Sequence, residues 1–217
     1  MKPLKDYFLK DSDSVSNMQP RTSKELKVLV ERLIKERGNE ADLNDIDTSL
    51  IDDMSYVFFS SKFNGDISKW DVVNVKNMYG MFADSKFNGD ISKWDVGNVE
   101  YMCGMFADST FNGDISKWDV SKVKNMRYIF YNSDFNGDIS KWNVSNVEYM
   151  SLVFAYSKFN GDISKWDVVN VKNMYSLFKD SKFNGDISKW DVSKVKDMED
   201  MFNNSPLENN LPKWYKE

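Results

Sequence analysis

Apolar residues recur along most of the chain with a fixed period of 24 residues. The clearest copy begins at Phe63 and reads FNGDISKWDVVNVKNMYGMFADS, and close copies begin at Phe87, Phe111, Phe135, Phe159 and Phe183. Seven positions are apolar in nearly every copy, those equivalent to 63, 67, 70, 72, 75, 78 and 82. A fixed period of this length is typical of a solenoid, in which each coil packs on its neighbours.

The spacing inside one repeat predicts two short elements. Val75, Met78 and Phe82 have helical spacing, which favours one or two helical turns. The segment 65–70 alternates polar and apolar residues at Asp66, Ile67 and Ser68 after an Asn-Gly turn, which favours a short strand. We therefore predict an α/β repeat solenoid of the leucine-rich-repeat type, with one short parallel strand and one short helix in each 24-residue turn.

The same spacing divides the chain into four parts. Residues 1–22 form a polar arm that we expect to be poorly ordered, with a docking peptide as the alternative. Residues 23–38 predict a helix whose single apolar face caps the open end of the solenoid, and a partner-binding helix is the alternative. Residues 39–205 form the solenoid, with a degenerate turn at 39–62 and six close repeats from 63. Residues 206–217 form a truncated C-terminal capping turn.

Stacking of similar coils converts each repeat position into a row of equivalent residues. All seven tryptophans share one row, namely Trp70, Trp94, Trp118, Trp142, Trp166, Trp190 and Trp214. A buried spine is the favoured interpretation because each tryptophan buries ~150–250 Å². The alternative is an exposed aromatic strip that stacks on sugar rings.

Charged rows follow the same register. Asp66 and its five copies repel one another at a spacing of ~4.8 Å. Pairing with the row of Lys69 is the favoured way to offset this repulsion. Bonding of the aspartates to turn amides is a second option, and a row of calcium sites is the least favoured. The row at position 76 alternates between lysine and glutamate over most coils, which predicts ion pairs between neighbours. Positions 73, 79, 80, 83, 84 and 86 vary most, so they are expected at the surface, where they could supply specificity.

Repeat-invariant polar residues beside the predicted strands define the first candidate binding face, which would suit a repetitive ligand. Its members are Asp66, Ser68, Lys69, Asp90, Ser92, Lys93, Asp114, Ser116, Lys117, Asp138, Ser140, Lys141, Asp162, Ser164, Lys165, Asp186, Ser188 and Lys189.

Composition argues against several classes of function. The chain has no histidine, so a Ser-His-Asp or Cys-His catalytic site cannot form. It has no Walker-type glycine loop, and its one cysteine, Cys103, excludes an intramolecular disulfide. The net charge of −5 argues against a nucleic-acid partner. We expect no enzyme, no cofactor, no metal site and no membrane insertion.

The recurring core W-D-V-x-x-V-x-x-M-x-x-M-F resembles the repeats of the BspA-like leucine-rich repeat proteins of bacterial surfaces, over about residues 39–214. The resemblance implies a right-handed solenoid and a role in adhesion or protein binding, at a cell surface or after secretion. It implies no catalytic residues. The chain shows no signal peptide, lipobox cysteine or wall anchor, so its compartment stays open.

These observations predict a non-catalytic repeat module that binds an unidentified protein partner through the solenoid surface. A carbohydrate-binding surface protein is one alternative. A structural component of a larger phage or cell-surface assembly is another. The sequence does not determine the oligomeric state.

Overall fold

A stack of 24-residue coils follows a single helix in the computed structural model, which describes residues 18–216. Helix α1 spans Ser23–Arg37, and a 3₁₀ helix spans Pro206–Asn209. We number the coils 1 to 7, with coil 1 at 39–62 and the later coils starting at each repeat phenylalanine. Residues 1–17, which hold most of the predicted arm, and residue 217 lie outside the described residues. The tandem repeats form a solenoid, as the 24-residue period predicts.

Helix α1 covers the first apolar end of the stack. The Thr22 hydroxyl accepts a hydrogen bond from the Glu25 amide and begins the helix, and Gly38, at φ +92°, ends it. The buried side chains of the helix share one face and join the core of coil 1; they are Leu26, Leu29, Val30 and Leu33. The Arg37 guanidinium also donates to both carboxylate oxygens of Asp45, at 2.8 and 3.0 Å, which fastens the helix end to coil 1.

The chain just before the helix is also tied to coil 1. The Asp47 amide donates to the carbonyl of Met18 at 2.8 Å, and the Gln19 side-chain amide donates to the Asp47 carboxylate at 2.6 Å. Met18 packs against the hydrophobic core. The part of the predicted arm nearest the helix therefore contacts the solenoid.

The predicted strand and helix of each repeat are not formed within residues 18–216, where the coils contain turns and isolated parallel bridges. In the expected strand, the Asp66 carboxylate accepts from the Ser68 amide and the Trp70 amide closes a turn onto Ile67. In the expected helix, positive φ at Gly80 (+58°) and Asp84 (+52°) interrupts helical geometry. Local turns therefore replace both predicted elements.

Alternate amides in the second part of each coil bond to the next coil. The amides of Met54, Tyr56 and Phe58 donate to the carbonyls of residues 77, 79 and 81, at 2.8–2.9 Å. Intervening amides close four-residue turns within their own coil, as the Met81 amide does onto the Met78 carbonyl. Six of the seven parallel bridges run through one row, and the seventh joins Asp42 to Asp66. The row consists of Asp53, Asn77, Tyr101, Asn125, Tyr149, Asn173 and Asp197. The backbone is thus satisfied by neighbouring coils rather than by a helix.

Three aromatic rows fill the core. One phenylalanine row starts at Phe63 with ring centroids 6.2–6.3 Å apart, and a second starts at Phe58 with centroids 5.4–5.9 Å apart. The six tryptophans from Trp70 to Trp190 are only 3–5% exposed. Each tryptophan indole nitrogen donates to a carbonyl of the preceding coil, as Trp118 does to Ile91 at 3.1 Å. The buried spine is confirmed, and the sugar-stacking strip is wrong for these residues.

Asparagine side chains form a further ladder on the surface. The Asn64 side-chain oxygen accepts from the Asn88 amide at 2.7 Å, and the same contact repeats in the following coils up to Asn184. The invariant Asn-Gly pair predicts a turn, but the sequence analysis did not anticipate this contact between coils. The ladder fixes the register of neighbouring coils because each bond joins residues 24 apart.

Helix α1 is shorter and more polar than a membrane-spanning helix. Nowhere in residues 18–216 does the structure contain a helix with the length and apolarity to cross a bilayer.

Candidate binding surfaces

The predicted binding face lies at the surface, as a set of parallel polar rows. Asp66, Lys69 and their copies are exposed, while Ser68 and most of its copies are half-buried. In every coil from 2 to 7, the aspartate Oδ1 accepts from the backbone amide of the serine two residues later, at 2.8–2.9 Å. One carboxylate oxygen is therefore engaged in a local turn, and the other remains at the surface.

The aspartate row is stabilised differently from the favoured expectation. Among the ion pairs of residues 18–216, none joins the Asp66 row to the Lys69 row, so that pairing is wrong. The Ser68 amide and hydroxyl are the main causes that lower the pKa of Asp66, and the Lys69 charge is a minor one. The same causes lower the pKa of each copy. The turn amide holds the charged carboxylate because it lies closer than the flexible lysine.

We expect acid to destabilise the solenoid through this row. The folded-state pKa of each carboxyl lies below its ordinary value of 3.8, so the ionised form stabilises the fold above that value. This stability is lost as the pH falls through the folded pKa. Urea unfolding at pH 7 and pH 3 should therefore give a lower free energy of unfolding at pH 3.

A matched variant separates this row from the other acids. Asp114→Asn with Asp138→Asn keeps the turn, because Asn143 makes the same contact with the Ser145 amide, but it removes two titrating groups. Its unfolding free energy should depend less steeply on pH than that of the parent. Equal pH dependence in the two proteins would contradict this assignment.

Ion pairs between coils occur at the alternating position. Lys124 Nζ lies 2.5 Å from Glu100 Oε2, and Lys172 Nζ lies 2.7 Å from Glu148 Oε2. These pairs confirm the predicted pairing between coils 3 and 4 and between coils 5 and 6. They are exposed, so they contribute more to register than to stability.

A second surface lies on the side formed by the variable positions. We call it the aromatic face, and it consists of the residues at positions 77, 79, 80, 83 and 84 of coil 2 and their equivalents in coils 1 and 3 to 7. Eight of the ten tyrosines and one phenylalanine lie on it, namely Tyr56, Phe59, Tyr79, Tyr101, Tyr128, Tyr131, Tyr149, Tyr156 and Tyr175. Six of these rings are 37–52% exposed, which is unusual for side chains of this size.

The rings of this face contact one another across coils. Tyr56 packs edge-on against Tyr79 with centroids 4.9 Å apart, and Tyr131 packs edge-on against both Tyr128 and Tyr156 at 5.8 and 5.5 Å. Gly80 accommodates the first pair, since a Cβ there would lie 2.7 Å from the Tyr56 ring. A hydrogen bond with Tyr56 and burial raise the pKa of Tyr79 to about 12, so its hydroxyl stays neutral at physiological pH. The rings thus form packed clusters rather than isolated side chains.

The aromatic face was predicted only in part. The variation at positions 79, 80, 83 and 84 indicates a surface that could supply specificity, and the structure places these side chains outward unless they are small. The predicted binding face at Asp66, Ser68 and Lys69 is a different surface. The signal that would have identified the aromatic face is the concentration of tyrosine at positions that are not apolar in every repeat.

A cavity of about 610 Å³ lies beside the last coil. Met198, Phe202, Leu211 and Tyr215 contribute apolar surface to it, and the remaining lining is charged or polar. Cys103, on coil 3, is buried, and burial raises the pKa of its thiol to about 11, so it is a poor nucleophile at neutral pH.

The fold and its surfaces define a tandem-repeat solenoid protein with an aromatic core. The profile of a protein family described as "Mycoplasma protein of unknown function, DUF285" matches residues 28–134 and again residues 107–215. The chain belongs to this family. No curated protein and no solved structure matches the chain.

Proposed function

We propose that this solenoid is a non-catalytic binding module that recognises a protein partner through its aromatic face. The observation that carries the proposal is that all six exposed aromatic rings of residues 18–216 lie on this one face. Tyrosine supplies a large contact area with little loss of conformational entropy, and it is enriched at protein interfaces. The invariant residues build the core, so the variable positions are free to specify the partner.

The relationship to BspA-like surface proteins belongs to the same proposal. The family match is compatible with it, and a right-handed leucine-rich-repeat geometry with a role in adhesion would follow from it. The absence of histidine from the sequence supports a non-catalytic role. The Asp66, Ser68 and Lys69 rows remain the alternative binding surface, and carbohydrate binding or a structural role in an assembly remain alternative functions.

Affinity capture with two matched variants tests the proposal. One variant carries Tyr101→Ser, Tyr128→Ser and Tyr156→Ser on the aromatic face, and the other carries Asp90→Ala, Asp114→Ala and Asp138→Ala on the predicted polar face. All six positions are exposed, so the tyrosine variant should keep the parent's circular dichroism and unfolding midpoint. The aspartate variant should keep the circular dichroism but have a lower unfolding midpoint, because it loses three turn contacts. Captured proteins from the native host and from its neighbouring cells would be identified by mass spectrometry.

We expect the tyrosine variant to lose the captured partner and the aspartate variant to retain it. Loss in the aspartate variant alone would place the binding site on the polar face instead. Retention by both variants would contradict binding through either surface. Binding to a glycan array without a protein partner would favour the carbohydrate alternative.

A further inference from the structure

The aromatic face carries most of the chain's excess negative charge. Its carboxylates are Asp53, Asp84, Asp108, Asp180, Asp197, Glu199 and Asp200, and its only cations are Arg127 and Lys179. Seven acids and two bases give the face a net charge of −5, which equals the formal net charge of the whole chain. The surface is therefore acidic as well as aromatic.

The two cations of the face already have partners. The Arg127 guanidinium lies 4.3 Å from the centroid of the Tyr149 ring. Lys179 Nζ lies 3.0 Å from the Asp200 carboxylate. Of the ion pairs in residues 18–216, the Lys179–Asp200 pair is the one that neutralises a carboxylate of this face. The remaining acids are left without a counter-charge from the described residues.

Two rings of this face contact cationic side chains of the same molecule. Besides Arg127 over Tyr149, Lys27 of α1 lies over the Tyr56 ring, with its Nζ 5.8 Å from the centroid. A ring attracts a cation through the negative potential of its π face, and guanidinium groups are the commonest partners. The exposed rings of Tyr79, Tyr128 and Tyr156 have no such cation among the described side chains.

Two carboxylates of this face, Asp84 of coil 2 and Asp108 of coil 3, belong to one row that continues to Tyr156 of coil 5. The Asn132 side chain donates to Asp108 Oδ1 at 2.7 Å, and the Ser60 hydroxyl donates to Asp84 Oδ2 at 2.8 Å, so each carboxylate is held in place, and both aspartates are exposed. Burial first, and then the charges of Tyr156 and Asp108, raise the pKa of Tyr131, which shows that Asp108 acts on this cluster. A fixed carboxylate next to an exposed ring offers an ion pair and a cation–π contact to the same ligand.

We propose that the aromatic face binds an arginine-rich segment of a protein partner, with guanidinium groups seated on the cluster of Tyr128, Tyr131 and Tyr156 in coils 4 and 5 and paired with Asp108 of coil 3 and Asp84 of coil 2. This inference rests on the proposed function and names the chemistry of the partner. A neutral or acidic partner would leave the carboxylates of the face unpaired. A guanidinium group satisfies both features at once, because it stacks on rings and pairs with carboxylates.

Peptide binding to the full chain tests this proposal. The probe is a fluorescent 12-residue peptide of alternating arginine and glycine, and its control has citrulline in place of arginine. Citrulline keeps the planar shape but carries no charge. We expect the arginine peptide to bind about ten-fold more tightly, because it alone gains the ion pair and the cation–π contact. Equal affinity of the two peptides, or no binding by either, would overturn the proposal.

Two variants of equal net charge show whether the interaction is local. Asp84→Asn with Asp108→Asn removes two negative charges from the aromatic face, and Asp114→Asn with Asp138→Asn removes two negative charges from the polar face. Asparagine already occupies position 132 of the Asp84 row at φ +46°, so the fold should tolerate the first variant. We expect only the first variant to weaken arginine binding, by about ten-fold. Equal weakening in both would show non-specific attraction by net charge and would overturn the proposal.

The outcomes also separate this inference from the proposed function. A captured partner that is lost in the tyrosine variant but retained by Asp84→Asn with Asp108→Asn would leave the aromatic face as the binding surface. It would overturn the arginine chemistry alone. A partner retained by the tyrosine variant would contradict the proposed function itself.

Discussion

Replacing Phe130 with alanine should lower the free energy of unfolding by about 3–5 kcal/mol, because the ring is fully buried and its removal leaves a cavity. Phe130 lies in coil 4, at the centre of the stack. It packs on Phe135 with centroids 4.3 Å apart, and on Phe106, Phe154 and Trp142 at 5.9–6.0 Å. Urea unfolding followed by tryptophan fluorescence would measure the change.

Phe59→Ala is the matched control for this prediction. Phe59 is 52% exposed on the aromatic face, so the same substitution there should change the unfolding free energy by less than about 1 kcal/mol. Similar losses in the two variants would contradict the buried position of the Phe58 row. A fall in the slope of unfolding against urea would show that the coils no longer unfold together.

Deleting residues 1–38 should cause aggregation. The deletion removes α1 and exposes the apolar end of coil 1, which Leu26, Leu29, Val30 and Leu33 cover in the intact chain. An exposed apolar end of a solenoid promotes association because terminal repeats need a polar outer face. Size-exclusion chromatography with light scattering would measure the mass of the product.

Deletion of residues 1–17 provides the control, because it leaves α1 and the contacts of Met18 in place. This shorter deletion should stay soluble and keep the mass of the parent. A soluble and monomeric protein after deletion of residues 1–38 would contradict the capping role of the helix. Aggregation after both deletions would assign the effect to the arm instead.

The apolar pattern predicts the parts of the fold that depend on burial. The spacing of Leu26, Leu29 and Leu33 predicts a helix with one apolar face, and α1 buries that face. The repeat of Phe63 and Trp70 every 24 residues predicts stacked coils with aromatic rows in the core. Periodicity identifies these residues because burial depends on side-chain chemistry more than on local backbone geometry.

The local backbone of each coil could not be predicted in the same way. Val75, Met78 and Phe82 can face the core from consecutive turns as readily as from a helix. Their spacing therefore does not distinguish a helix from a series of turns. Gly80 and Asp84 favour positive φ, which was a signal against a helix. Tyr128 and Leu152 adopt positive φ as well, at +60° and +58°, although their own preference opposes it. The hydrogen bonds between coils impose this geometry, and those bonds are not visible in one repeat.

The candidate site was predicted as a surface but not as a set of contacts. Exposure of Asp66 and Lys69 follows from their place between apolar residues. Bonding of Asp66 to a turn amide was predicted only as the second option, because a strand at this position would contain no turn. The clusters around Tyr131 bring together residues of different coils, and each contact depends on which variable residue its neighbours carry. The fold does not determine which residue occupies each variable position. The contacts between these residues therefore cannot be predicted from the repeat pattern.

The coil-to-coil bonds have a consequence for how such a chain can change its size. Each inner coil donates from the same alternate amides and accepts at the same carbonyls, so its upper and lower surfaces are interchangeable with those of its neighbours. Duplication or loss of one 24-residue unit would leave α1, the last coil and every bond between coils intact. Coil number is therefore a property that selection can alter in whole steps without redesigning the core. Each step adds or removes the five aromatic-face positions of one coil. Unequal recombination alone therefore changes the length of the recognition surface and the number of binding positions on it.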